Sequence, residues 1–128
     1  MYINIYNIKF QNSKVMRVIK TKHFPFNGYK AINLFGIIFT KGELSNKELN
    51  HEAIHTEQMK EMLYIFFYIW YGIEYLIIRL FHIKQHDAYK DVSFEEEAHI
   101  NDDNFDYISE RKHYTWTKYL GINSSKTA

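Results

Sequence analysis

The chain has no cysteine in its 128 residues, which removes disulfides, thiolate metal ligands and a thiol nucleophile and leaves the redox compartment open. Proline occurs once, at Pro25, and glycine five times, so linkers, repeats and low-complexity stretches have little room; only 123–128 reads as a frayed end. An excess of charge is missing too. Lysine and arginine total 16 against 15 acidic residues, for a net charge of +1, whereas a general nucleic-acid or polyanion binder would be visibly basic. No nucleic-acid partner is therefore expected. The opening Met1-Tyr2-Ile3-Asn4-Ile5-Tyr6 lacks the basic start and apolar run of a secretory signal, so a cytoplasmic location is the expectation.

Aromatic residues are abundant instead, at 18% with 11 Tyr and 10 Phe, and at this length residues 1–128 are expected to form one domain around one core. Residues 15–20 and 31–40 are short β-branched and aromatic runs separated by Pro25 and Asn27-Gly28, which predicts two strands joined by turns. Everything after Leu44 reads as helical, giving an α+β chain with a short N-terminal β element.

The strongest apolar run, Met62 to Ile83, approaches the ~20 residues that cross a bilayer, but Gly72, Glu74 and Arg79 interrupt it. Tyr64, Tyr68, Tyr71 and Tyr75 fall on one face of this helix, with Leu63, Phe67, Trp70, Ile73 and Ile77 nearer the other. That pattern predicts a buried core helix with a wetter tyrosine side. The Tyr64–Tyr75 face is the candidate surface for a protein or membrane contact, a homodimer included, and membrane association is the alternative to a purely cytoplasmic chain. A buried Glu74 would need a partner, for which Arg79 and Arg111 are the candidates. Ser93-Phe94-Glu95-Glu96 reads as a capping box opening a helix to about Asp103, and Phe105 to Leu120 as a last helical segment, whole or broken near Ser109, closed by Gly121.

The chemistry concentrates in His51-Glu52-Ala53-Ile54-His55. With seven His and ten Glu in the chain, random placement yields about 0.03 HExxH matches, so the pattern is informative but short. On a helix, residues four apart stand one above the other, and both imidazoles reach one metal with Glu52 beside them. Zinc suits this arrangement, asking for two His, a third protein ligand and an open position for water. The helix has a marked start. Ser45-Asn46-Lys47-Glu48 is a capping box, and Leu44 and Leu49 occupy the staple positions around it.

Candidates for the third ligand are Glu95, Glu96, Glu97, His99 and the His82/His86 pair. Glu96 already has a capping task. Glu95 and His99 are four apart on one face beside the small Ala98, and Glu97 points about 200° away from Glu95.

HExxH followed by a helix bearing Glu-x-x-Ala resembles the gluzincin branch of the zincin metallopeptidases; the matching residues are His51, Glu52, His55, then Glu95, Glu97, Ala98 and His99. The resemblance implies a zincin-like fold in which His51, His55 and Glu95 bind zinc, Glu52 is the general base, and a peptide or protein is hydrolysed. The position after Ala98 is usually Asp or Asn in those families. Here it is His99, for which three roles stay open: orienting a ligand from outside, donating to the transition state, or acting as a rival ligand. Asn50 to His55, Gln58, Trp70 to Tyr75 and Ser93 to Ala98 also look like short HExxH proteins of Bacteroidetes-type bacteria, a likeness that implies no substrate. An oxyanion donor is needed for such chemistry, and His99, His113, Tyr89 and Tyr107 are the candidates. Gln58, two turns beyond His51, is placed to reach substrate or a ligand's outer side.

Two other classes share these letters. Glu52/His55 and Glu96/His99 are both Glu-x-x-His, the motif pair of di-iron carboxylate bundles, to which Glu74 and Glu110 would add carboxylates. That reading leaves His51 without a role and fits poorly with a β-forming start. The third class is a zinc-binding or membrane-associated scaffold without turnover.

Overall fold

A computed structural model of the protein describes residues 3–10, 14–24, 30–81 and 92–120. The chain forms a mixed α+β unit whose element order is β1 (Ile3–Phe10), β2 (Lys14–Thr21), β3 (Ala31–Leu34), β4 (Ile37–Thr40), α1 (Asn46–Glu61), α2 (Ile65–Phe81), α3 (Ser93–Asn101), the short α4 (Tyr107–Glu110) and a 3-10 turn at Thr115–Tyr119. The four strands make one sheet in the order β1-β2-β4-β3. β1 runs antiparallel to β2, from Ile3 opposite Thr21 to Phe10 opposite Lys14, and β2 runs parallel to β4, from Arg17 opposite Ile37 to Lys20 opposite Thr40.

The expected single strand over 31–40 is a hairpin, with Ala31 opposite Thr40 and Leu34 opposite Ile37. Phe35 and Gly36 turn it, both at positive φ (55° and 88°), as a two-residue hairpin requires. Gly36 suits that backbone, whereas Phe35 does not, and the contacts of Phe35 explain why it is held there. Its amide donates to the Tyr68 hydroxyl at 2.8 Å and its ring packs 5.0 Å from the Tyr68 ring. β1 was not among the expected strands. The turn expected at Pro25 and Asn27-Gly28 lies outside the described residues, as do Gly121 and 123–128.

α1 is the central element. Leu49 and Ala53 on one side pack with Met16, Val18 and Ile38 of the sheet, and Leu44 joins this cluster from the staple position. Met59 belongs to a second cluster with Phe67, Ile78, Val92, Phe94 and Trp116. The capping box forms as expected: the Glu48 amide donates to Ser45 Oγ at 3.1 Å, and Glu48 Oε1 accepts from the Ser45 amide at 3.0 Å.

α1 and α2 do not run on from one another. The chain turns by 109° between them through Leu63 and Tyr64, both in the left-handed region at φ 52° and 60°. α2 then meets the rest of the molecule with a face that mixes the two expected ones, Phe67 of the apolar side together with Tyr64, Tyr68 and Tyr71, while Tyr75 is exposed. Phe67, Glu74 and Ile78 are buried, with Tyr64, Tyr68 and Tyr71 half-buried against the second cluster, while Phe66, Ile69, Ile73, Leu76 and Leu80 are exposed. Tyr68 and Tyr71 go inward because their hydroxyls find polar partners there, Tyr68 at the β3–β4 turn and Tyr71 at Glu95. Among the described residues, no single helix is long and apolar enough to cross a membrane.

The second capping box does not form. Val92 is the N-cap of α3, and Ser93 is its first residue. Glu74 takes over the cap from α2. Its Oε2 accepts from the Ser93 amide at 2.9 Å and its Oε1 from the Ser93 hydroxyl at 2.6 Å, which places a carboxylate at the positive end of the helix. Neither Arg79 nor Arg111 is its partner in those bonds. The long C-terminal helix expected over 105–120 is instead α4 and the 3-10 turn, separated by Arg111 to Tyr114.

Candidate metal centre

α1 and α3 bring three donors together. His55 Nε2 lies 2.9 Å from Glu95 Oε1, His51 Nε2 lies 3.2 Å from the same oxygen, and the two Nε2 atoms are 3.2 Å apart. Four ligands about 2.0 Å from zinc in a tetrahedron are separated by ~3.3 Å, so this near-equilateral triangle matches one face of a zinc tetrahedron. The group His51, His55 and Glu95 can hold a metal ion, and His55 and Glu95 are buried. Of the sequence candidates, Glu95 is the one that completes the triangle. Its neighbour on the same turn, Glu97, points to the other side of α3, as the helical angle requires.

Each donor is oriented by a second group. His51 Nδ1 donates to Asp102 Oδ2 at 3.2 Å, and His55 Nδ1 donates to Gln58 Oε1 at 2.8 Å. With Nδ1 carrying a proton held by that partner, each ring directs Nε2 towards the centre, where a metal would take the place of any proton on it. The Gln58 amide cannot flip without loss, because its Nε2 donates to Phe94 O at 3.0 Å and to Glu97 Oε1 at 2.9 Å. Tyr71 donates its phenol to Glu95 Oε2 at 2.9 Å, which leaves Oε1 to face the histidines.

Asp102 and Tyr71 were not legible as site residues. Asp102 sits in the turn after α3, where the buried Asn50 amide is directed at the carbonyls of Asn101, Asp102 and Asn104 (3.4, 2.9 and 3.0 Å). The one available signal was Asn50 directly before the motif, an amide that a helix interior does not itself need. Tyr71 belonged to a stripe of four equivalent tyrosines, and nothing local distinguished it.

Glu97 is buried in an ion-pair network that meets the centre through Gln58. It accepts from Arg111 Nε at 2.6 Å and from the Tyr107 hydroxyl at 2.7 Å, while Arg111 grips Glu61 through Nη1 and Nη2 at 3.1 and 2.7 Å. Tyr107 is thereby committed to Glu97, and burial together with that carboxylate pushes its phenol up. His99 stands away from the triangle with its side chain 78% exposed and Nδ1 4.0 Å from Asp102 Oδ2. Asp102, three residues further along, and not His99, is the residue that reaches His51. His113 is exposed beside Tyr114. Tyr89, His82 and His86 lie outside the described residues. Glu96 and Glu110 are outside the donor group, so the paired Glu-x-x-His motifs are not gathered into one centre among the described residues.

Glu52 opens onto a cleft of about 290 Å³ that it shares with His51, Lys30, Leu44, Lys47 and Asp102. Burial pushes its carboxyl above the usual range, the Glu95 charge adds to this, and the two histidines oppose it. The backbone beneath it is fixed to the sheet, since Asn33 on the edge strand β3 donates to Glu52 O and to Thr56 Oγ1, each at 3.0 Å. Glu95 behaves in the opposite sense. Burial alone would raise it, but His55 and His51 hold it far below the carboxylate range. No protein-family model matches the chain, and neither a curated protein nor a solved structure matches it.

Proposed function

We propose that this protein is a zinc-dependent hydrolase of peptide or amide bonds, with a zincin-like arrangement in which His51, His55 and Glu95 hold the metal and Glu52 is the general base. The observation that carries the reading is a donor triangle of zinc dimensions with Glu52 on the same helix turn, Glu52 sharing its cleft with one of the three donors, His51. When bound, zinc acidifies a coordinated water and polarises a carbonyl. Glu52, raised by burial towards the working range, is suited to take a proton at its carboxylate and return it to a leaving amine. Tyr71 keeps the Glu95 carboxylate single-toothed, and Asp102 and Gln58 hold the imidazoles in the tautomer that binds metal. The resemblance to gluzincins and to the short Bacteroidetes-type HExxH proteins supports the same assignment.

The Glu52→Gln variant tests it. Elemental analysis should find about one zinc per chain in both forms, and hydrolysis of a peptide library should fall by at least 1,000-fold in the variant. Unchanged turnover would remove Glu52 from the mechanism, and a chain that holds zinc but cuts nothing in either form would favour the scaffold reading.

A further inference from the structure

We infer that the outer face of α2 is a self-association surface, on which a second copy of this chain lays its own α2 antiparallel about Ile73. This stands apart from the metal reading and uses none of its residues. The inner face of α2 is occupied by the domain's own core through Phe67, Glu74 and Ile78. Among the described residues, nothing covers the outer face. Phe66, Ile69, Ile73, Leu76, Ile77 and Leu80 are exposed by between 47% and 61%.

Three features point to a second copy. First, the area is sufficient. With the helix ends included, the face presents roughly 1,000 Å² of largely apolar surface, against ~800 Å² per partner in a stable interface and a few hundred on an ordinary monomer. Second, Ile73 is the middle residue of Ile65–Phe81, and reversing the helix about it places Phe66 over Leu80 and Ile69 over Ile77. Every exposed apolar position then meets another, which is what a two-fold self-contact demands. Gly72 beside the axis has nothing within 4 Å of where a Cβ would stand, so a second backbone can come close there. Third, a helix lying in a lipid interface carries Lys and Arg along its polar side. α2 has Arg79 as its single basic residue, and its other side is filled by protein.

Sedimentation equilibrium of the full chain, zinc-loaded and free of detergent, should give twice the 15.5 kDa chain mass. Ile73→Glu should raise the dimer dissociation constant at least 100-fold with an unchanged far-UV spectrum. Because the chain has no cysteine, single-cysteine variants report geometry directly, whether or not Ile73→Glu folds. Under diamide, Ile73→Cys should cross-link to itself, Phe66→Cys should not, and a mixture of Phe66→Cys with Leu80→Cys should. A wild-type chain that stays monomeric or associates without limit overturns the proposal. So does a chain that is monomeric in solution and floats with phosphatidylcholine vesicles, which would make lipid the occupant. Self-cross-linking of Phe66→Cys would overturn the antiparallel arrangement.

Discussion

Gln58 shows how much of a metal centre is decided by a side chain that never touches the metal. Its amide is clamped by Phe94 and Glu97, so only its oxygen can face His55, and the ring has one productive tautomer. Asp102 does the same for His51. Asp102→Ala is therefore expected to lower zinc affinity by about 10- to 100-fold, read by competition with a coloured chelator. In the metal-free chain His55 is raised from 6.5 to about 9: burial alone would lower it, but the Glu95 charge and hydrogen bond prevail, with Glu52 and Gln58 assisting. The folded chain thus holds that proton more tightly than the unfolded one. The stability this contributes is complete below about 6.5 and is lost as pH rises through 9. Glu95, depressed on folding, contributes above the ordinary carboxylate range and loses its contribution as pH falls. Urea melts with chelator present should accordingly show a chain weaker at pH 9.5 than at pH 6.5, by on the order of 2 kcal/mol. Saturating zinc displaces the His55 proton and should flatten this decline.

At the scale of elements, Glu74 is the residue on which α3 depends. It is buried, it caps a helix whose own sequence offered Ser93 for the task, and two residues further on α3 presents Glu95. Replacing Glu74 with Ala should destabilise the protein by about 2–3 kcal/mol, the worth of two bonds to a buried carboxylate, and should weaken zinc binding as the start of α3 frays. Thermal melts with and without zinc would separate the two effects. Local signals were legible where the partner was local. The Ser45 box was readable because Ser45 and Glu48 satisfy one another, and Ser93 misled because its partner lies 19 residues away on another helix. Helical spacing grouped Tyr64, Tyr68 and Tyr71 on one face of α2 but set Phe67 on the other and took the tyrosine side for the wetter one, since what is inside depends on what Tyr68 and Tyr71 meet across the fold. The β3–β4 turn was hidden in the same way, as Phe35 accepts a left-handed backbone only because Tyr68 is there to hold it. That His51, His55 and Glu95 come together was readable because the spacing of HExxH and the angle between Glu95 and Glu97 are properties of a helix alone.

For the whole molecule, the centre is a clasp between segments about 40 residues apart, His51 and His55 on the central helix and Glu95 on α3. An ion bound there favours the folded chain and not the unfolded one, where the donors are scattered. Zinc at about 1,000 times its dissociation constant should add about 4 kcal/mol of stability, seen as a rise in melting temperature that chelator reverses; a melting temperature indifferent to zinc would count against the centre. The composition of this clasp has a consequence for how it is filled. Two imidazoles and a carboxylate, with no thiolate among them, follow the general order of divalent-metal affinity, in which copper outranks zinc. The donors by themselves do not choose. Which ion would fill it is then set by what is free where the chain folds, and, with no sulfur ligand to oxidise, the clasp would serve equally in reducing and oxidising surroundings.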